Sequence, residues 1–257
     1  MQAATPKDGQ VPTATPPLSI LDLLVGVGTI ALGLTFYNLL RAVQPALAVN
    51  QALGPIYACL GGASVASLPR FLARWRRREC PLLSQPGHWL LAVTAVVTLL
   101  NWGMYYGMFW KLRGEESIDG RSLSIAISFL GFYAVTLMVA ALLFGLAAWR
   151  LPSDACAGAW RLYFSAQVLL CLTQLLMVFI FMLGYFEMMQ LAWGGTFSAL
   201  LPAVAIAWRV IQPVDFSLLC LIGVWDWRSR VTRDWLHRAG ILLLLAMGIF
   251  TTLQSLF

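Results

Sequence analysis

Charge is scarce in this chain. Of its 257 residues only 11% are Asp, Glu, Lys or Arg, while 60% are hydrophobic. A soluble globule of this size carries roughly 25% charged residues, so the composition argues against an ordinary water-soluble domain. Lysine is nearly missing, with only Lys7 and Lys111. A retinal Schiff base needs a lysine inside a helix, so that class of seven-helix protein is disfavoured. P-loop, nucleophile-elbow and HExxH patterns are all lacking, which leaves hydrolase chemistry without visible machinery. The Glu115-Glu116 pair is followed by Arg121, one residue too far for the EExxxR pattern of CAAX-type intramembrane proteases. The balance leans against an enzyme, and no catalytic residue is assigned.

Metal and cofactor signatures are equally thin. Cys59, Cys80, Cys156, Cys171 and Cys220 show no CxxC or other ligand spacing, and they read as reduced thiols in or beside apolar segments. Two histidines, His88 and His237, invite a bis-histidine haem. Both fall at the ends of apolar runs, beside Trp89 and Arg238, where an interfacial role fits better. No metal and no cofactor is expected.

What the chain does have is long apolar runs, and mean hydropathy reaches +0.78. We read seven of them: Leu18 to Val43, Ala46 to Phe71, Gly87 to Trp110, Ser122 to Trp149, Gly158 to Tyr185, Thr196 to Trp225 and Leu236 to Leu256. Each exceeds the about 20 residues that carry a helix across a hydrocarbon core of about 30 Å. Backbone amides in lipid must be paired within the segment, and runs without alternating polarity do not suit barrel strands. The expected fold is all-α: a polytopic bundle of about seven transmembrane helices, forming one domain over 18–257. Residues 1–17, rich in Pro and Thr, are expected to form a disordered tail. An A-x-A pattern at Ala46 to Ala48 follows too long an apolar run for a cleaved signal peptide.

Arginine records the direction of threading. One side collects Lys7, Arg70, Arg74, Arg76, Arg77, Arg78, Arg150, Arg161, Arg228, Arg230, Arg233 and Arg238, and the other only Arg41, Lys111, Arg113 and Arg121. Twelve against four predicts a cytoplasmic N-terminus and an outside C-terminus. Trp-Arg pairs recur on the rich side, as Trp75-Arg76, Trp149-Arg150, Trp160-Arg161 and Trp227-Arg228. Indole at the headgroup level and guanidinium on phosphate would fix helix depth. The implied partner is the lipid bilayer, with no nucleic acid, and a bacterial plasma membrane suits the pattern.

Small residues mark packing seams. Gly54, Ala58, Gly62 and Ala66 recur every four positions, as do Gly103 and Gly107, which lets a second helix approach closely. The first seam suggests that the second helix is a buried, central helix rather than a lipid-facing one. Another membrane protein or a second copy is a further candidate occupant of such faces.

Arg209 is the one arginine outside both boundary groups, near the middle of the sixth run. Pro213 removes the amide that would bond the Arg209 carbonyl. With Asp215, Glu187, Asn101 and Gln174, Arg209 forms a candidate midplane ligand or ion-pair site. Two functions therefore stand side by side: a non-enzymatic membrane scaffold or accessory subunit, and a small transporter or ligand-binding sensor built around Arg209 and Pro213.

Overall fold

The computed structural model describes residues 20–43, 53–76, 83, 85–114, 118–151, 157–190, 201–229 and 233–256, with backbone alone at 40–43, 53, 74–75, 108–109, 111–114, 118–126, 185–190, 201, 204–205, 208 and 253–256. Seven helices make up these segments: α1 (Ile20–Val43), α2 (Leu53–Arg76), α3 (Pro86–Gly114), α4 (Ile118–Arg150), α5 (Ala157–Gln190), α6 (Leu201–Arg228) and α7 (Trp235–Leu256). Each contains 18 to 28 consecutive residues long and apolar enough to cross a membrane. The tail 1–17 and the A-x-A pattern lie outside the described residues.

Several helices outrun their apolar stretch. α2 continues to Arg76 and α3 to Gly114, because hydrophobicity marks the stretch suited to lipid whereas Leu, Ala and Arg propagate a helix in either solvent. Ser64 and Ser67 bond the carbonyls of Gly61 and Ser64 at 2.6 Å, and Thr94 and Thr136 those of Leu90 and Phe132 at 2.8 and 3.0 Å. Hydroxyls satisfied by the preceding turn need no polar cavity.

Consecutive helices run antiparallel, so Arg70 and Arg76 of α2, Arg150 of α4, Arg161 of α5, Arg228 of α6 and Arg238 of α7 gather at one end. α3 packs against α1, α2, α4 and α7, while α2–α7, α7–α6, α6–α5 and α5–α4 contacts draw an arc around it. The helix with the most neighbours is α3, and α2 packs against α1, α3 and α7. The α3 span is 33% buried, against 22% for α2 and 6% for α1. The α2 seam serves its own neighbours: a Cβ on Gly62 would stand 2.7 Å from Ile30 Cα, and one on Gly33 of α1 would stand 2.6 Å from the Ala58 carbonyl oxygen. These backbones approach closely because side chains are missing between them.

Packing is concentrated at the arginine-rich end. Trp89 and Leu90 of α3, Ala147 of α4, Trp160, Tyr163 and Phe164 of α5, and Leu219 and Ile222 of α6 form the largest core cluster. Leu83 packs on it from the turn before α3 with φ 58°, a left-handed conformation unusual for leucine.

Candidate functional site

The two parallel helix starts, α3 and α7, cross at glycine. A Cβ on Gly240 would lie 2.2 Å from the Gly87 carbonyl oxygen, and one on Gly87 2.1 Å from that of His237. Any other residue at either position forces the backbones apart. Asp234 precedes α7 and accepts the His237 amide at 2.9 Å, an N-cap bond. The Asp234 amide in turn donates to Gln85 Oε1 at 3.2 Å, and the Gln85 carbonyl accepts the His88 amide at 3.0 Å. Both helix starts are therefore tied to one turn of chain.

Within this crossing His237 is 1% exposed. The Gly87 amide donates to its Nδ1 at 2.9 Å, and its Nε2 lies 2.7 Å from Asp226 Oδ2. An amide can only donate, so Nδ1 is unprotonated and the ring hydrogen sits on Nε2, donating to Asp226. The other carboxylate oxygen, Oδ1, accepts Trp160 Nε1 at 3.1 Å and Arg233 Nη2 at 2.7 Å. Trp160 also meets the His237 ring edge-on, with centroids 6.2 Å apart. One buried carboxylate thus joins α5, α6, α7 and the segment before α7. Its charge is balanced by Arg233, since His237 is neutral in this tautomer.

The arrangement looks like an Asp–His dyad but cannot act as one. A general base keeps one ring nitrogen free for its proton, and here both are engaged. The same saturation removes His237 as a haem ligand, and His88 Nε2 is held by Asp234 Oδ1 at 2.9 Å. Among the described residues no group of three or more His, Cys, Asp or Glu is arranged to hold a metal ion.

Around this junction the boundary arginines have specific partners. Arg70 forms a two-pronged pair with Asp22 of α1, its Nε at 2.7 Å from Oδ1 and its Nη2 on Oδ2, and its guanidinium lies 4.8 Å from the centre of the Trp235 ring. Arg161 Nη2 caps the terminal α4 carbonyl of Leu151 at 2.7 Å. Arg150 and Arg238 stack on Trp149 and Trp227 at 5.4 and 5.3 Å. Trp149 and Trp227 are 74% and 70% exposed, as depth anchors would be, and Arg76, Arg150, Arg161 and Arg228 are exposed. Trp160 departs from that reading, because at 0% exposure it is a core residue bonded to Asp226. The side chain of Trp75 lies outside the described residues.

The residues grouped around Arg209 are not brought together. The Arg209 side chain is exposed and, among the described residues, makes no ion pair. Helix α6 continues through Pro213, and Ser217 Oγ bonds the Pro213 carbonyl at 2.7 Å. Asp215 instead accepts Gln167 Nε2 of α5. Gln174, two turns further along α5, is buried, Asn101 of α3 is half-buried, and the side chain of Glu187 lies outside the described residues.

Sequence reading missed the Asp226–His237–Trp160 link and the Asp22–Arg70 pair. A signal existed: acids are few, so each one inside an apolar run must find a partner. Which partner it finds depends on how helices far apart in sequence pack.

Gly103 and Gly107 differ from the α2 glycines. A Cβ at either would meet nothing within 4 Å. Leu99, Gly103, Tyr106, Gly107 and Trp110 are all exposed, and their spacing puts them along one stripe of α3. The Tyr106 and Trp110 rings meet edge-on at 6.2 Å. This stripe belongs to the most enclosed helix of the bundle, in the half away from the arginine-rich end.

The chain matches no family model, no curated protein and no solved structure.

Proposed function

We propose that this chain is a non-catalytic multi-pass membrane subunit that works by binding a transmembrane helix of another protein on the open stripe of α3. In this reading the arginine-rich end faces the cytoplasm of a bacterial plasma membrane, with the N-terminus inside and the C-terminus outside, as the arginine count favours.

The observation that carries the proposal is the contrast along α3. Its first half is enclosed by α2, α4 and α7, whereas its second half presents two bare glycines flanked by Leu99, Tyr106 and Trp110. Helices associate in lipid through small residues that bring backbones close, with aromatic side chains packing around them. The glycine seams of α2 and α7 are already occupied within the chain. Saturation of the Asp226–His237 pair supports a binding rather than a chemical role.

Replacing Gly103 and Gly107 together by Leu tests the reading. The doubly substituted chain is expected to fold with unchanged thermal stability and to lose its partner in mild-detergent purification. Retention of the partner at parental stoichiometry would contradict the proposal. The transporter or sensor reading keeps one supporting observation, the Asp215–Gln167 pair inside the α6 span. It would be favoured if Asp215→Asn abolished a ligand-dependent stabilisation that the Gly103 and Gly107 substitutions left intact.

A further inference from the structure

Beside the Asp226–His237 junction, residues of α6 and α7 line a groove of about 470 Å³. Its position, shape and charge go beyond the α3 stripe. The groove walls are Val224 on α6 and Ile241, Leu242 and Leu245 on α7, and Ser229, Arg238 and Trp227 stand at its polar end. Cys220 and Ser229 are separated by nine residue steps along α6 and just past its end, about 13 Å at 1.5 Å per residue. The groove is therefore an elongated apolar slot with a cation at one end, too long for an inorganic anion alone.

Among the described residues, charge at that end is unbalanced. Asp226, which also lines the groove, is neutralised by Arg233. Arg238 has no carboxylate partner among the described residues, and its exposed guanidinium is oriented over the Trp227 ring at 5.3 Å. Arg228 ends α6 nearby, likewise exposed. The apolar spans of α6 and α7 end at Arg228 and begin at Trp235, which would put the cation at headgroup depth and the slot at acyl-chain depth.

We propose that this groove is a binding site for one anionic phospholipid, with the phosphodiester on Arg238 and one acyl chain along Val224, Leu242 and Leu245. The inference rests on the arginine-rich end lying at a membrane surface and is independent of the α3 partner. A guanidinium held in place by an aromatic ring loses little freedom on engaging a phosphate, and the apolar slot adds chain burial that a free phosphate cannot use. Juxtamembrane arginines already favour anionic surfaces, but this groove would convert a diffuse preference into a bound lipid.

The test uses the full chain in dodecyl maltoside, titrated with dioleoyl phosphatidylglycerol, dioleoyl phosphatidylcholine or inorganic phosphate. Tm and native mass spectrometry are the readouts. Phosphatidylglycerol is expected to raise Tm and give a one-lipid adduct, with phosphatidylcholine and phosphate producing neither. Arg238→Gln should weaken the phosphatidylglycerol response at least tenfold. Leu242→Trp should do the same by filling the slot, and Arg150→Gln, an exposed arginine on another helix, should leave it unchanged. Arg238 and Leu242 are both exposed, so either variant can decide if the other fails to fold. An equal response to phosphatidylcholine, an equal response to inorganic phosphate, or full retention in both groove variants would overturn the site. Loss of lipid binding with the α3 partner retained would separate this site from the proposed partner surface.

Discussion

At the scale of single residues, the structure turns on what a buried carboxylate requires. Asp226 collects donors from Trp160, His237 and Arg233, so removing it leaves the buried Trp160 indole and His237 ring without their acceptor and takes a carboxylate from Arg233. Asp226→Ala is expected to cost about 3–5 kcal/mol, measured by denaturation in mixed micelles. A cost below about 1 kcal/mol, the scale of an exposed pair, would contradict the burial. Trp160→Phe keeps most of the ring and loses one donor, and should cost about 1–3 kcal/mol. Gly240→Ala sets a methyl 2.2 Å from the Gly87 carbonyl oxygen, whereas Gly223→Ala meets Ile241 Cγ2 at 3.4 Å. The first substitution should lower Tm far more than the second, and equal effects would deny the close crossing of α3 and α7. Arg209→Gln, at an exposed position without an ion pair among the described residues, should change stability by no more than about 0.5 kcal/mol.

At the scale of elements, the seven helices were largely legible in the sequence because an apolar run of membrane length has few other solutions. Pairing was less legible. The small residues at Gly54, Ala58, Gly62 and Ala66 announced a close approach, and Gly62 and Ala58 do meet α1, yet the same spacing at Gly103 and Gly107 stands open. Spacing reports that a face is capable of close packing and says nothing about whether this chain fills it. Trp160 could not be told from Trp149 by its arginine neighbour, because burial depends on which side of the helix faces α6. Asp215 illustrates the same limit: it lies six residues from Arg209 in sequence, yet it accepts Gln167 of α5, a neighbour that only the packing of the helices supplies. At this scale the glycine contrast gives a prediction: Gly62→Leu, against the Ile30 backbone, should destabilise the chain strongly, while Gly103→Leu should not, as thermal unfolding of the two variants would show.

For the whole molecule, the saturated polar groups and the largest core cluster among the described residues meet where the boundary arginines collect. The other half leaves a stripe of α3 uncovered, and there we place the partner surface. Topology is tested separately: a periplasm-dependent reporter fused after residue 257 should be active, and the same reporter fused after Arg230 should be inactive. The partner surface is tested most directly by photo-crosslinking in intact membranes. A crosslinking amino acid at Tyr106 on the α3 stripe is compared with one at Leu172, an exposed position on α5. The account predicts one discrete adduct from position 106, lost on Gly103→Leu and Gly107→Leu, and none from 172. Equal labelling at both positions, or an adduct at 106 that survives the leucine substitutions, would contradict it.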